Sequence, residues 1–315
     1  MHVKSLTLAT VISTAVAQNV SFCDKYTTAL FMNNTAENQL KLLTAVVNTA
    51  VIGNYSESKT GMAVPGILAK GTYNGVEVNL APYFSGALKS SNRGGSMGVA
   101  VNFLDGGGAA PLMAGKASNN TDSNQERLLT HLYEYFGSLL QCSEQGKSAY
   151  PAYDGFGSQY EVHKFMDLDA NEVGYFIAQV AGAAASFGVS SEDLAPVGMA
   201  LNSLFGYKCS PPTAVIPAQG PQLQSICSAQ DCPIAAMNAS CPASNITEPA
   251  SATGGASGAS PSSPSSSSKP SGTSKPSGTS KPSGTSSASP MPTSGAAVVG
   301  MSLMAVFGGA LALCL

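Results

Sequence analysis

The sequence predicts an all-α fold: a helical core broken by two long Gly-rich loop insertions and followed by a disordered stalk. Three observations predict it. Apolar residues recur with helical period in separate stretches, from Glu37 to Ile52, Leu128 to Leu140, Val173 to Phe187 and Leu194 to Phe205. Glycine crowds into the intervals between the first two of these. A tract of almost pure Ser, Gly, Pro, Thr and Ala runs from about residue 251 to residue 293.

The first helix carries Leu40, Leu43, Val46, Val47 and Val51 on its apolar face. Tyr55 to Ser123 reads as long loops with room for a short strand, because it holds Gly94-Gly95 and Asp105-Gly106-Gly107-Gly108. Its glycines lack the strand-turn-helix GxGxxG spacing of a phosphate cradle. The next helix shows Leu128, Leu129, Leu132, Tyr135, Phe136, Leu139 and Leu140 on one wide face, with His131 at its edge. Asp169 followed by Glu172 predicts a capping box for a third helix, which Gly188 ends as a left-handed residue. A fourth starts from Ser190 or Ser191, with Glu192 and Asp193 in its first turn, and ends at Gly206. Pro196 limits how early that helix can be regular.

Residues 1–17 read as a secretory signal: Lys4, an apolar run from Leu6 to Val16, and the small-residue cleavage site Ala15-Val16-Ala17. Residues 294–315 are apolar and uncharged. Behind a polar spacer this fits a GPI-addition signal, with attachment around Ser286 to Ser289; the alternative is one transmembrane helix. The tract 251–293 repeats Ser268-Lys269-Pro270-Ser271-Gly272-Thr273 and cannot bury enough apolar surface to order itself. It predicts a stalk on the order of 100 Å long. Asn-x-Ser/Thr sequons at Asn19, Asn33, Asn54, Asn119, Asn238 and Asn245 fit an extracellular, GPI-anchored glycoprotein at the plasma membrane or cell wall.

Cys23, Cys142, Cys209, Cys227, Cys232 and Cys241 form an even set, while Cys314 leaves with the C-terminal signal. Three disulfides are expected, with 15 possible pairings. Zinc at Cys227-x4-Cys232 is the rival. The net charge is −3 and only 10% of residues are charged. No basic patch points to nucleic acid. The domain so predicted covers residues 18–208, with insertions at about 55–78 and 88–123, and a Cys-rich tail covers 209–250.

Histidine is scarce. His2 lies in the signal, which leaves His131 and His163. Conventional His-based catalysis and three-His metal sites have little material here. Each histidine has a plain alternative: His131 as a boundary packing residue and His163 as a helix-terminal one. Asp167 and Asp169 flank Leu168, but capping accounts for Asp169 without a hydrolytic role.

Arg127-Leu128-x3-Leu132-x-Glu134-Tyr135-Phe136, Tyr160-x2-His163, the stretch Asp169 to Phe187, and Gly188-Val189-Ser190-Ser191-Glu192 together resemble the truncated haemoglobins, a two-on-two globin-like family. The likeness is gapless from Arg127 to Cys142 and from Val162 to Leu204. Asp24-Lys25-Tyr26, Glu37 to Asn54, and Leu80-Ala81-Pro82-Tyr83-Phe84-Ser85-Gly86 resemble earlier parts of the family. Coverage is a little over half of the region before the stalk. The chain would be a secreted, loop-expanded member, fungal-like in its signal and stalk architecture.

The resemblance implies b-type haem. It places His163 at the proximal iron ligand, Phe84 at the haem-packing phenylalanine, Leu128 and Leu132 at distal positions, and Val47 near the site that usually holds an oxygen-binding tyrosine. These distal residues are apolar, a departure from the family. His131 falls where members carry a propionate-binding base or a sixth iron ligand; a surface position is the third option. The implied function is binding, sensing or transfer of a diatomic gas or haem at the cell surface. Cell-wall glycans are a further candidate partner. An enzyme would be a haem-dependent oxidoreductase, peroxidase-like or nitric-oxide dioxygenase-like; the apolar distal residues disfavour the acid–base group that this needs. The alternative is a haem-free structural or adhesive cell-wall module on the same scaffold.

Overall fold

The computed structural model describes residues 20–55 and 60–236. The elements run α1 (Phe22–Phe31), α2 (Ala36–Ile52), β1 (Gly71–Tyr73), β2 (Val76–Val78), α3 (Ala81–Ser85), β3 (Gly86–Ser91), β4 (Val99–Asn102), α4 (Ala109–Met113), α5 (Asn124–Leu139), α6 (Gln159–His163), α7 (Ala170–Ser186) and α8 (Ser191–Phe205). Helices dominate, as the periodicity predicts, but β1–β2 and β3–β4 form two small antiparallel sheets. The fold is therefore mixed rather than purely α.

Local chemistry explains the helix starts. Ser21, Thr35, Ser123, Ser158 and Ser190 each accept a hydrogen bond from the backbone N–H three residues on. Asp169 and Glu172 form the full capping box of α7. Gly188 takes the left-handed conformation, at φ 93°. Pro196 lies inside α8, yet the helix is regular from Ser191. Its first turn is held by Ser190 and by Asp193, which accepts from Lys25 Nζ at 2.6 Å and Tyr26 Oη at 2.5 Å.

α2 is the hub, packing against α1, α5 and α7, while α7 also packs against α8. Its Leu43, Val47 and Val51, spaced by one turn each, are buried with Leu129, Phe136, Val173 and Leu201. Burying each such side chain contributes about 1.5–3 kcal/mol. The small residues Ala50 and Ala183 join Val64 in a second cluster, where short side chains let α2 and α7 approach.

The two insertions are more ordered than loops. The first contains the hairpin β1–β2, turned by Asn74 and Gly75 at φ 50° and 79°. Positive φ at both positions gives a turn whose twist suits antiparallel strands. The second contains β3, β4 and α4 and is pinned by buried amides. Asn48 on α2 donates to Leu112 O at 3.1 Å and accepts from Tyr133 Oη at 2.6 Å. Gln125 on α5 donates to Gly108 O and Ala117 O, both at 2.9 Å. Both amides are fully buried, so these bonds satisfy groups that would be costly left unpaired.

Residues 209–236 return to the helical core. Ile216, Leu223, Ile226 and Cys227 are buried. Ile226 and Cys227 donate their N–H groups to Phe205 O, and Ser228 and Ala229 donate to Leu168 O. Disulfides join Cys23 to Cys142 and Cys227 to Cys232. Cys209 is also disulfide-bonded, and Cys241 lies outside the described residues.

Asn33, Asn54 and Asn119 are exposed. Asn19, Asn238 and Asn245, the signal, the stalk and the GPI-addition segment all lie outside the described residues. Among the described residues no helix is long and apolar enough to cross a membrane.

Candidate functional site: the two histidines and an acidic neighbour pair

His163 is the last residue of α6, a single turn capped by Ser158. Ser158 Oγ and Tyr160 N both donate to Leu223 O, which ties this turn to the C-terminal segment. The His163 ring is half-buried, with Nδ1 2.8 Å from Gln159 O. A carbonyl can only accept, so Nδ1 carries the proton and Nε2 keeps its lone pair. Burial pulls the imidazole below its usual titration range, against the raising effect of the Gln159 carbonyl.

His131 sits on α5 with its Nε2 3.0 Å from Asp154 Oδ1. The Tyr153 ring packs edge-on against it at 5.5 Å between centroids. Burial lowers its proton affinity most, Asp154 opposes this, and Arg127 and Arg93 add to the lowering. Glu134 lies three residues on from His131, on the same helix face. Burial, with the charge of Asp154 second, pushes its carboxyl up to about 8. One ligand atom from each of His131, Glu134 and Asp154 lies within 4.8 Å of the others.

The remaining sequence candidates are dispersed. Val47 and Leu132 line an apolar cavity of about 60 Å³ in the core, together with Leu43, Phe136, Val180 and Leu201. His163, His131, Phe84 and Leu128 are not among its lining residues. Phe84 is half-buried on α3, and its carbonyl accepts from Phe103 N at 2.7 Å.

The residues that the resemblance assigns to haem do not converge on one cavity. The apolar cavity that Val47 and Leu132 line holds about 60 Å³, below the roughly 300–1,000 Å³ of a typical small-molecule site. The hairpin β3–β4 also bridges the two histidine-bearing helices, with β3 against α6 and β4 against α5. A Cβ on Gly98 in that hairpin would stand 2.5 Å from Phe165 Cβ, so backbone and ring are in tight contact.

Glu134 and Asp154 escaped the sequence reading. The i, i+3 spacing of His131 and Glu134 was a usable signal; Asp154, in the loop after Tyr150, offered none. No protein-family model, curated protein or solved structure matches the chain.

Proposed function

We propose that the protein is a haem-free structural or adhesive module of the cell wall, displayed on a glycosylated stalk. The observation that carries this reading is the hairpin β3–β4, which packs β4 against α5 and β3 against α6. The apolar cavity of the helical core, which neither the hairpin nor α6 lines, holds about 60 Å³ and is too small for a macrocycle. The sequon residues Asn33, Asn54 and Asn119 are exposed, which supports glycan attachment on the surface a wall module would present.

The test is a haemin titration of the secreted protein. No Soret band of bound haem is expected, and the unfolding midpoint stays fixed, because a ligand that binds only the folded state must raise it. Removing the chain from the cell surface is expected to alter wall integrity or adhesion. A producing cell unchanged in both would remove this reading.

A second reading, haem binding through His163, is supported by the Nδ1 contact with Gln159 O, which leaves Nε2 available as a ligand. It requires β3–β4 to move away from α6. A Soret band lost in His163→Ala would establish it and displace the first reading.

A further inference from the structure

We propose that His131 Nε2 and the carboxylates of Glu134 and Asp154 form a binding site for a divalent first-row transition cation, with zinc the best-matched ion. The site is separate from the candidate proximal ligand: it uses no atom of His163 and no residue that lines the core cavity.

Three features support it. The donor set, one imidazole and two carboxylates, suits zinc and leaves a fourth position for water or a partner's group. The scaffold is defined on both sides. His131 and Glu134 share one face of α5, which is anchored by the Ser123 cap and by Gln125. Asp154 comes from the loop that Tyr150 and Tyr153 fasten: Tyr150 Oη donates to Tyr133 O at 2.7 Å, and Tyr153 Oη to Phe156 O at 2.8 Å.

The geometry is also close. Donors 2.0–2.2 Å from a tetrahedral ion stand roughly 3.3–3.6 Å apart. His131 Nε2 and Asp154 Oδ1 are at 3.0 Å, and all three ligand atoms lie within 4.8 Å. Glu134 has no ion-pair partner among the described residues, so no Lys or Arg competes with a cation for its oxygens. Arg127 and Arg93 lie near enough to act on His131. They limit the affinity without occupying a ligand position, and Arg93 is engaged with Asn124 Oδ1.

The alternative is that His131 and Asp154 simply fasten the loop to α5. Zinc titration calorimetry and cobalt absorption on the chelator-stripped, secreted full chain separate the two. One zinc equivalent is expected to bind, and cobalt should give the visible d–d bands of a low-coordinate nitrogen–oxygen site. Glu134→Gln and Asp154→Asn preserve shape and should each weaken zinc at least tenfold; His131→Ala should abolish the cobalt bands, and His163→Ala should leave both signals intact. If His131→Ala fails to fold, the two amide variants decide. Absence of cobalt bands in the unaltered chain, or zinc affinity unmoved by Glu134→Gln and Asp154→Asn, overturns the proposal.

Discussion

Tyr135 Oη donates a fully enclosed hydrogen bond of 2.7 Å to Gln224 Oε1, joining the middle of α5 to the C-terminal segment. Gln224 Nε2 continues the link to Gly157 O at 2.8 Å. One buried amide thus holds α5, the loop before α6 and residues 209–236 together.

Tyr135→Phe keeps the ring and strands the Gln224 carbonyl. The expected loss is about 1–3 kcal/mol, the cost of an unsatisfied buried acceptor. Urea denaturation with an unchanged slope would record it; a loss under 0.5 kcal/mol, roughly that of a surface change, would show that the bond is dispensable.

The disulfides should differ in weight. Cys23 and Cys142 are 119 residues apart, whereas Cys227 and Cys232 are five apart. Loop-closure entropy gives about 5 kcal/mol for the first and about 2 kcal/mol for the second. Paired Cys→Ala variants compared by denaturation should rank in that order.

Glu134 sets a pH dependence. Its folded carboxyl is raised to about 8, while an unfolded Glu titrates near 4.3. Between those values the folded chain retains a proton that the unfolded chain has lost. Stability from this group is therefore greatest on the acid side and falls as pH rises through about 8. Glu134→Gln should flatten that slope in metal-free buffer and stabilise the protein at high pH by on the order of 2 kcal/mol, discounted for solvent screening. An identical slope in both proteins would contradict the raised carboxyl.

Asp169→Ala removes Oδ1, which accepts the bonds from Asn171 N and Glu172 N at the start of α7, each 2.8 Å. A loss of about 1–2 kcal/mol is expected. Asp169→Asn, which keeps an acceptor, should recover most of it in the same denaturation series.

The long helices were legible because their stripes and caps are local. Val47, Phe136 and Val180 lie on the faces that their spacing predicts, and Asp169 with Glu172 announced α7 directly. The hairpin at Asn74-Gly75 lies in the interval expected to be loop, and its strands, three residues each, are too short for alternation to show. The insertions escaped for another reason. Their order depends on Asn48 and Gln125, helix residues whose amides reach carbonyls 64 and 17 residues away, and no local pattern encodes such a bond. The candidate site divides likewise: His131 and Glu134 are readable from one helix, whereas Asp154 arrives only through the packing of Tyr150 and Tyr153.

The weaving of residues 209–236 into the core also bears on the order of events during synthesis. Tyr135 leaves the ribosome 89 residues ahead of Gln224, an interval of roughly 5–20 s at ordinary elongation rates. Throughout that interval α5 and the turn bearing His163 lack the strap that closes over them. The nascent chain therefore carries an open seam there until nearly the whole domain has emerged, and a chaperone would find a target in it.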